Sequence, residues 1–278
     1  MTELSQKTID KYKSYIRLLK TKRNIDCDDE NLDFDEIMDR LEDMSLSYKR
    51  TNLSAIKWYL ESNNRCKKIC KLISEEIHYM NNVSREEDKN GLFNDKQISK
   101  YIEWSEILKL HTDLSLKLKK SVFDYDNHIM YVVLSLYCLF SVRRVEDYSM
   151  MYIIDNMNDY YNDKINYYVY DESKFIFNIY KTKKNYGQQI FNVPYNLSKI
   201  LDNYIKTFKI KGSLLDLNER GIARNIRNLF SEYFNIKMTV NDLRFSYLQY
   251  VKHNCNEEQI EKISKQMANS SLIYENNN

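Results

Sequence analysis

Four glycines and one proline in 278 residues are too few to punctuate a fold made of many hairpins or long loops. Chain reversals must then be few and made by other residues, so long amphipathic helices become the default and a mainly α fold is expected. The length suits two compact domains of roughly 100 to 200 residues each.

Apolar spacing places the helices. Between residues 5 and 19, Ile9, Tyr12, Ile16 and Leu19 recur at helical intervals beside a basic stripe of Lys13, Arg17 and Lys20. An acidic stretch over 26–35 reads as a loop that leads into a second helix at 34–41. A third helix at 47–60 turns Leu53, Ile56 and Leu60 inward and leaves Lys49, Arg50 and Lys57 for an anionic partner; a fourth covers 65–80. Residues 81–93, NNVSREEDKNGLF, are polar and contain Gly91, which is the composition of a linker. The chain therefore divides into a helical domain over 1–84, a linker over 85–100 and a second domain over 101–278.

Helical spacing resumes at 104–118 and 127–140. Residues 165–170, 175–180 and 189–193 are short runs rich in aromatic and β-branched side chains between polar turns, which predicts a small antiparallel sheet. Helices return at 197–208, 222–234, 240–251 and 258–267, and no internal repeat is present.

The formal charge of +2 is the difference between 42 basic and 40 acidic residues, so local clustering carries more information than the sum. Five cysteines, an odd number with no CxxC pair, argue against a zinc site or a disulfide framework, and Cys66 and Cys70 read as neighbours on one helix. A reducing, intracellular setting is expected. No leader-like segment opens the sequence, and no run approaches the roughly 18 apolar residues of a membrane span, so a soluble protein without a membrane partner is expected. Abundant Asn, Tyr, Ile and Lys suit a gene rich in A and T, as in many viruses.

Three segments carry groups suited to phosphate chemistry without a metal, which needs fixed cations at the non-bridging oxygens, a proton donor for the leaving oxygen and an in-line nucleophile. Arginine meets the first need because its planar fork binds phosphate bidentately and keeps its charge. Residues 139–148, LFSVRRVEDY, place Arg143 three residues before Glu146. By itself this pair of arginines also suits the solvated start of a helix. Residues 178–194, NIYKTKKNYGQQIFNVP, place Lys181 before a turn, with Lys183 and Lys184 close by. Residues 239–251, TVNDLRFSYLQYV, place Arg244 after Leu243, with Asn241 three residues before it.

In that order the segments resemble the tyrosine recombinase, or phage-type integrase, family. The first is similar to the family's first arginine box, with Ser141 where glycine is common. The second is similar to the hairpin that carries the catalytic lysine and ends in Val-Pro. The third is similar to the His-x-Leu-Arg box, with Asn241 in place of the histidine, and an asparagine can hydrogen-bond a phosphate but not carry its proton. Residues 263–278, ISKQMANSSLIYENNN, resemble the Leu-Gly-His-Ser segment before the nucleophile, with Asn269 at the second histidine position. The family's tyrosine follows that position by nine residues, where this chain has Asn278; Tyr274 lies four residues earlier. Tyr274 serves if the intervening loop is shortened; otherwise the tyrosine lies past Asn278 or has been lost.

The resemblance implies an N-terminal helical core-binding (SAM-like) domain and an α+β catalytic domain that grip double-stranded DNA. Lys13, Arg17, Lys49, Arg50 and Lys57 would contact the backbone, and Arg143, Lys181, Arg244, Asn241, Asn269 and Tyr274 would form the site. It implies cleavage and rejoining through a 3′-phosphotyrosyl link, DNA-assembled tetramers, and no metal or other cofactor. With both histidine positions occupied by asparagine, two other readings stand beside it: a recombinase-fold DNA-binding or structural protein with impaired catalysis, and a type IB topoisomerase-like enzyme.

Overall fold

The computed structural model describes residues 4–89, 95–119, 124–149, 151–160 and 162–269. It is mainly helical with one four-stranded sheet, and the chain forms two compact units, Met1–Phe93 and Asn94–Asn278.

In the first unit α1 (Gln6–Arg23), α2 (Phe34–Arg40), α3 (Leu46–Ser62) and α4 (Lys67–Lys89) enclose a core of Leu19, Ile37, Leu41, Leu53, Ile56, Leu60 and Ile73. The three residues expected inward on α3 are buried as the spacing requires. Side chains make the helix starts: Ser5 caps α1 at the Thr8 amide (3.3 Å), and Asp33 caps α2 at the amides of Asp35 (2.9 Å) and Glu36 (3.2 Å). Where glycine would commonly end a helix in the left-handed conformation, Asn24 does so after α1 with φ 56°. The polar stretch expected to be a linker from residue 81 instead prolongs α4 to Lys89. Asn82 and Glu86 are exposed there, and no glycine or proline occurs between residues 81 and 89 to break the helix.

The second unit contains α5 (Asp95–Ile98), α6 (Trp104–Leu118), α7 (Tyr125–Leu139), α8 (Val145–Tyr148), β1 (Met151–Ile154), β2 (Asn166–Val169), β3 (Lys174–Phe177), α9 (Lys183–Tyr186), β4 (Gln189–Asn192), α10 (Tyr195–Phe208), α11 (Glu219–Phe234), α12 (Val240–Asn254) and α13 (Glu257–Met267). A short 3-10 turn, Met157–Asp159, lies between β1 and β2. Helix α7 is apolar around most of its circumference and packs against α6, α10 and α11, as a central helix must.

The sheet has the order β1-β2-β3-β4. Strands β2, β3 and β4 are antiparallel neighbours, but β1 lies parallel to β2, so the sheet is mixed rather than antiparallel. Its four residues, MYII, lack the flanking glycine or proline that would mark a strand. The outer edge of β1 is covered by the chain near Gly212: Ile153 donates to the Gly212 carbonyl (2.7 Å) and Leu214 to that of Met151 (2.7 Å). Alternation sends Tyr168, Phe175 and Phe177 toward the helices and Tyr167, Val169 and Ile176 into a smaller cluster on the other face. Among the described residues no helix is long and apolar enough to cross a membrane.

Candidate active site

The chain leaving α7 carries the first candidate arginine inward. Arg143 and the Asp147 carboxylate on α8 are 0% and 1% exposed, and Arg143 Nε donates to Asp147 Oδ2 at 2.8 Å. Its Nη1 donates to Gln189 Oε1 on β4 (3.0 Å) and to the carbonyl of Gln266 in the last turn of α13. The guanidinium carbon lies 3.8 Å from the centre of the Phe177 ring and 5.1 Å from that of Tyr180. Arg143 is thus enclosed, not the solvated beginning of a helix. Glu146, three residues on, is exposed; Asp147, four residues on, holds the guanidinium. Burial drives the Asp147 carboxyl above its usual range, and attraction to Arg143 offsets this only in part.

Arg244 reaches the same place from α12. Thr239 and Asp242 close a capping box at the start of that helix, with Thr239 Oγ1 accepting from the Asp242 amide (3.2 Å) and Asp242 Oδ2 from the Thr239 amide (2.8 Å). Burial opposes the Asp242 charge, but the Thr239 hydrogen bonds and the Lys100 ammonium, 3.1 Å away, outweigh it and hold the carboxyl below its usual range. One turn further on, Arg244 is 6% exposed and donates through Nη1 to the carbonyl of Val142, next to Arg143. Burial lowers its pKa to about 10, with Arg144 and Arg143 acting in the same direction and Asp147 against them. Arg244 stays cationic at neutral pH. Asn241 is exposed in the first turn of α12.

Lys181 is exposed on the connection between β3 and β4, one residue after Tyr180. It lines a cavity of about 600 Å³ with Tyr180, Lys164, Glu146, Glu219 and Asn166, among others. Gly187, at φ 66°, closes this connection in a conformation that favours glycine. Asn166 ties its base to the arginine segment. Its Nδ2 donates to the carbonyls of Asp147 (2.9 Å) and Ile179 (2.9 Å), while its Oδ1 accepts from the amides of Asn178 (2.7 Å) and Ile179 (2.8 Å).

The last turn of α13 completes the assembly. Gln189 Nε2 donates to the carbonyl of Lys265 (2.9 Å) and Thr182 Oγ1 to that of Ala268 (2.9 Å), beside the bond from Arg143 to Gln266. Asn269, half-buried, returns its amide to the Ser264 carbonyl (3.0 Å). Tyr274 lies outside the described residues.

The structure therefore gathers Arg143, Arg244 and the end of α13 and sets Lys181 on an adjoining connection. The spacing arguments missed Asp147, Gln189, Thr182 and Asn166. Only Asp147 had a local signal, an acid four residues after Arg143, whereas the other contacts join distant strands, loops and helices. In the first unit Lys13 and Arg17 are exposed on α1, without an ion pair among the described residues. Lys49 is half-buried, Arg50 donates to Asn81 Oδ1 (2.8 Å), and Lys57 stands 3.7 Å from Glu61. His253 is exposed near the end of α12.

No protein-family model matches this chain, and no curated protein matches it.

Proposed function

We propose that this chain is a DNA strand transferase of the tyrosine recombinase type, acting on double-stranded DNA as an oligomer, with a tetramer expected. The observation that carries the reading is the convergence of Arg143 and Arg244, which lie on separate elements, with Arg244 bonded to the Val142 carbonyl. A buried pair of arginines, with an exposed lysine on the connection between β3 and β4, supplies the charges that phosphoryl transfer without a metal requires.

In this reading the two guanidinium groups neutralise the non-bridging oxygens. The phenolic oxygen of Tyr274 attacks phosphorus and gives its proton to solvent water, the bond to the 5′-oxygen breaks, and the Lys181 ammonium supplies the proton for that leaving oxygen. Attack by a 5′-hydroxyl on the phosphotyrosyl link reverses the sequence and releases the tyrosine. Lys13, Arg17, Lys49, Arg50 and Lys57 of the first unit take backbone phosphates, which position a duplex without reading its bases. Asn241 and Asn269 serve as hydrogen-bonding groups, not as proton carriers, so slow turnover is expected.

Two observations favour a catalytically impaired DNA-binding protein as the second reading: asparagine at both histidine positions and the complete enclosure of Arg143. Nicked suicide duplexes of degenerate sequence separate the two. The enzyme gives a covalent protein–DNA adduct that maps to one tyrosine, and Arg244→Ala lowers its rate about 100- to 1000-fold while most duplex binding is kept. Salt-sensitive binding without an adduct selects the impaired form, and full adduct formation by Arg244→Ala defeats the site assignment. Relaxation of a supercoiled plasmid lacking any preferred site selects topoisomerase-like activity.

A further inference from the structure

The turn that ends α13 does to Arg143 what a phosphate would do. Helix ends leave carbonyl oxygens without intrahelical partners, and the helix dipole makes that end partially negative. Here the carbonyls of Lys265, Gln266 and Ala268 are taken by Gln189 Nε2, Arg143 Nη1 and Thr182 Oγ1. The donors come from β4, the segment after α7 and the connection between β3 and β4, yet they converge on four consecutive residues of one turn. Arg143 Nη1 also bonds Gln189 Oε1 at 3.0 Å, so two of the three donors are in direct contact. The guanidinium is 0% exposed, and no anion reaches it while the turn is in place.

We infer that Arg143, Gln189 and Thr182 form a three-donor cradle for the oxygens of a phosphodiester, and that the last turn of α13 is its internal occupant, displaced when DNA binds. The inference rests on the phosphate-binding reading of Arg143 and adds Gln189 and Thr182 as donors and the α13 turn as a competitor. Charge favours the exchange, because a phosphate oxygen is a stronger acceptor for a guanidinium than a peptide carbonyl. The turn is also held at a disadvantage: Ala268 ends α13 in the left-handed region, φ 49°, which alanine adopts unfavourably.

The test uses the full chain and two readouts: labelling of Arg143 by phenylglyoxal, mapped by peptide mass, and hydrogen exchange at the amides of Ala268 and Asn269, which bond Lys265 and Ser264. In the free protein Arg143 is labelled far more slowly than exposed Arg17. Thr182→Val removes one hydrogen bond to the turn and raises both rates about fivefold. Gln189→Glu keeps an acceptor for Arg143 but replaces the donor facing Lys265, and raises amide exchange in the same way. Duplex DNA, or inorganic phosphate at high concentration, accelerates exchange at the two amides. Labelling of Arg143 as fast as Arg17 in the free protein overturns the inference. So does unchanged exchange in both variants, or unchanged exchange with duplex bound. Failure to bind duplex at all sinks the recombinase reading instead, while the labelling, the variants and the phosphate titration still decide whether the turn occupies the cradle.

Discussion

Replacing Arg143 by methionine tests what the enclosed guanidinium contributes. The change leaves the Asp147 carboxylate, 1% exposed, without its cation, and removes the stack 3.8 Å above Phe177 and the bonds to Gln189 and Gln266. Stranding one member of a buried ion pair costs about 3–5 kcal/mol, a large share of the roughly 5–15 kcal/mol that holds a domain folded. With a urea slope of about 1–3 kcal/mol per molar, the unfolding midpoint followed by circular dichroism should fall by roughly 2 M at neutral pH. Asp147→Leu alone should cost a similar amount, because the guanidinium is then the unpaired charge. The double variant Arg143→Met/Asp147→Leu removes both charges and should recover most of the loss, since apolar side chains of similar volume can replace a buried pair at little cost. It should fold without forming a covalent adduct, which separates the structural role of Arg143 from its chemical one. Loss of under about 1 kcal/mol in the single variant, or a double variant no more stable than Arg143→Met, would refute the reasoning about the buried pair.

Two further outcomes follow from the surroundings of this pair. Because burial raises the Asp147 carboxyl above its ordinary value, its contribution to stability is fully present below about pH 4 and is lost as pH rises through the raised value. Asp147→Asn should therefore flatten that part of the stability curve; urea midpoints that stay parallel to those of the wild type as pH rises from about 4 argue against it. Thr239→Ala removes the side chain that caps α12 ahead of Arg244 and should cost about 1 kcal/mol in urea unfolding, and a neutral result would mean that the capping box does not anchor this helix.

The helices were legible because their signal is local. A repeat of 3.6 residues can be read in a window of fifteen residues, as for α6, whose observed span, Trp104–Leu118, matches the apolar spacing. The sheet was only partly legible. Strands β2, β3 and β4 carry runs of aromatic and β-branched residues, whereas β1 is recognisable only through its pairing with β2 and the covering chain at Gly212 and Leu214. Polar residues after residue 80 suit a helix, which runs to Lys89, as well as a loop, and the boundary between the two units, Phe93 to Asn94, lies within the 85–100 linker.

At the candidate site the sequence supplied an expectation: Arg143, Lys181 and Arg244 stand in the order that resembles the tyrosine recombinase family, and the scarcity of glycine and proline points to a helical chain with one small sheet. Their surroundings came only with the fold. It turned Arg143 inward onto Asp147, bonded its Nη1 to Gln189 and the end of α13 while Nη2 has no hydrogen-bond partner among the described residues, and left Lys181 exposed beside a cavity. The reason is one of range. Backbone periodicity acts over a few residues, but a buried charge must be satisfied wherever the fold brings acceptors together, and here they come from 46 and 123 residues further along the chain.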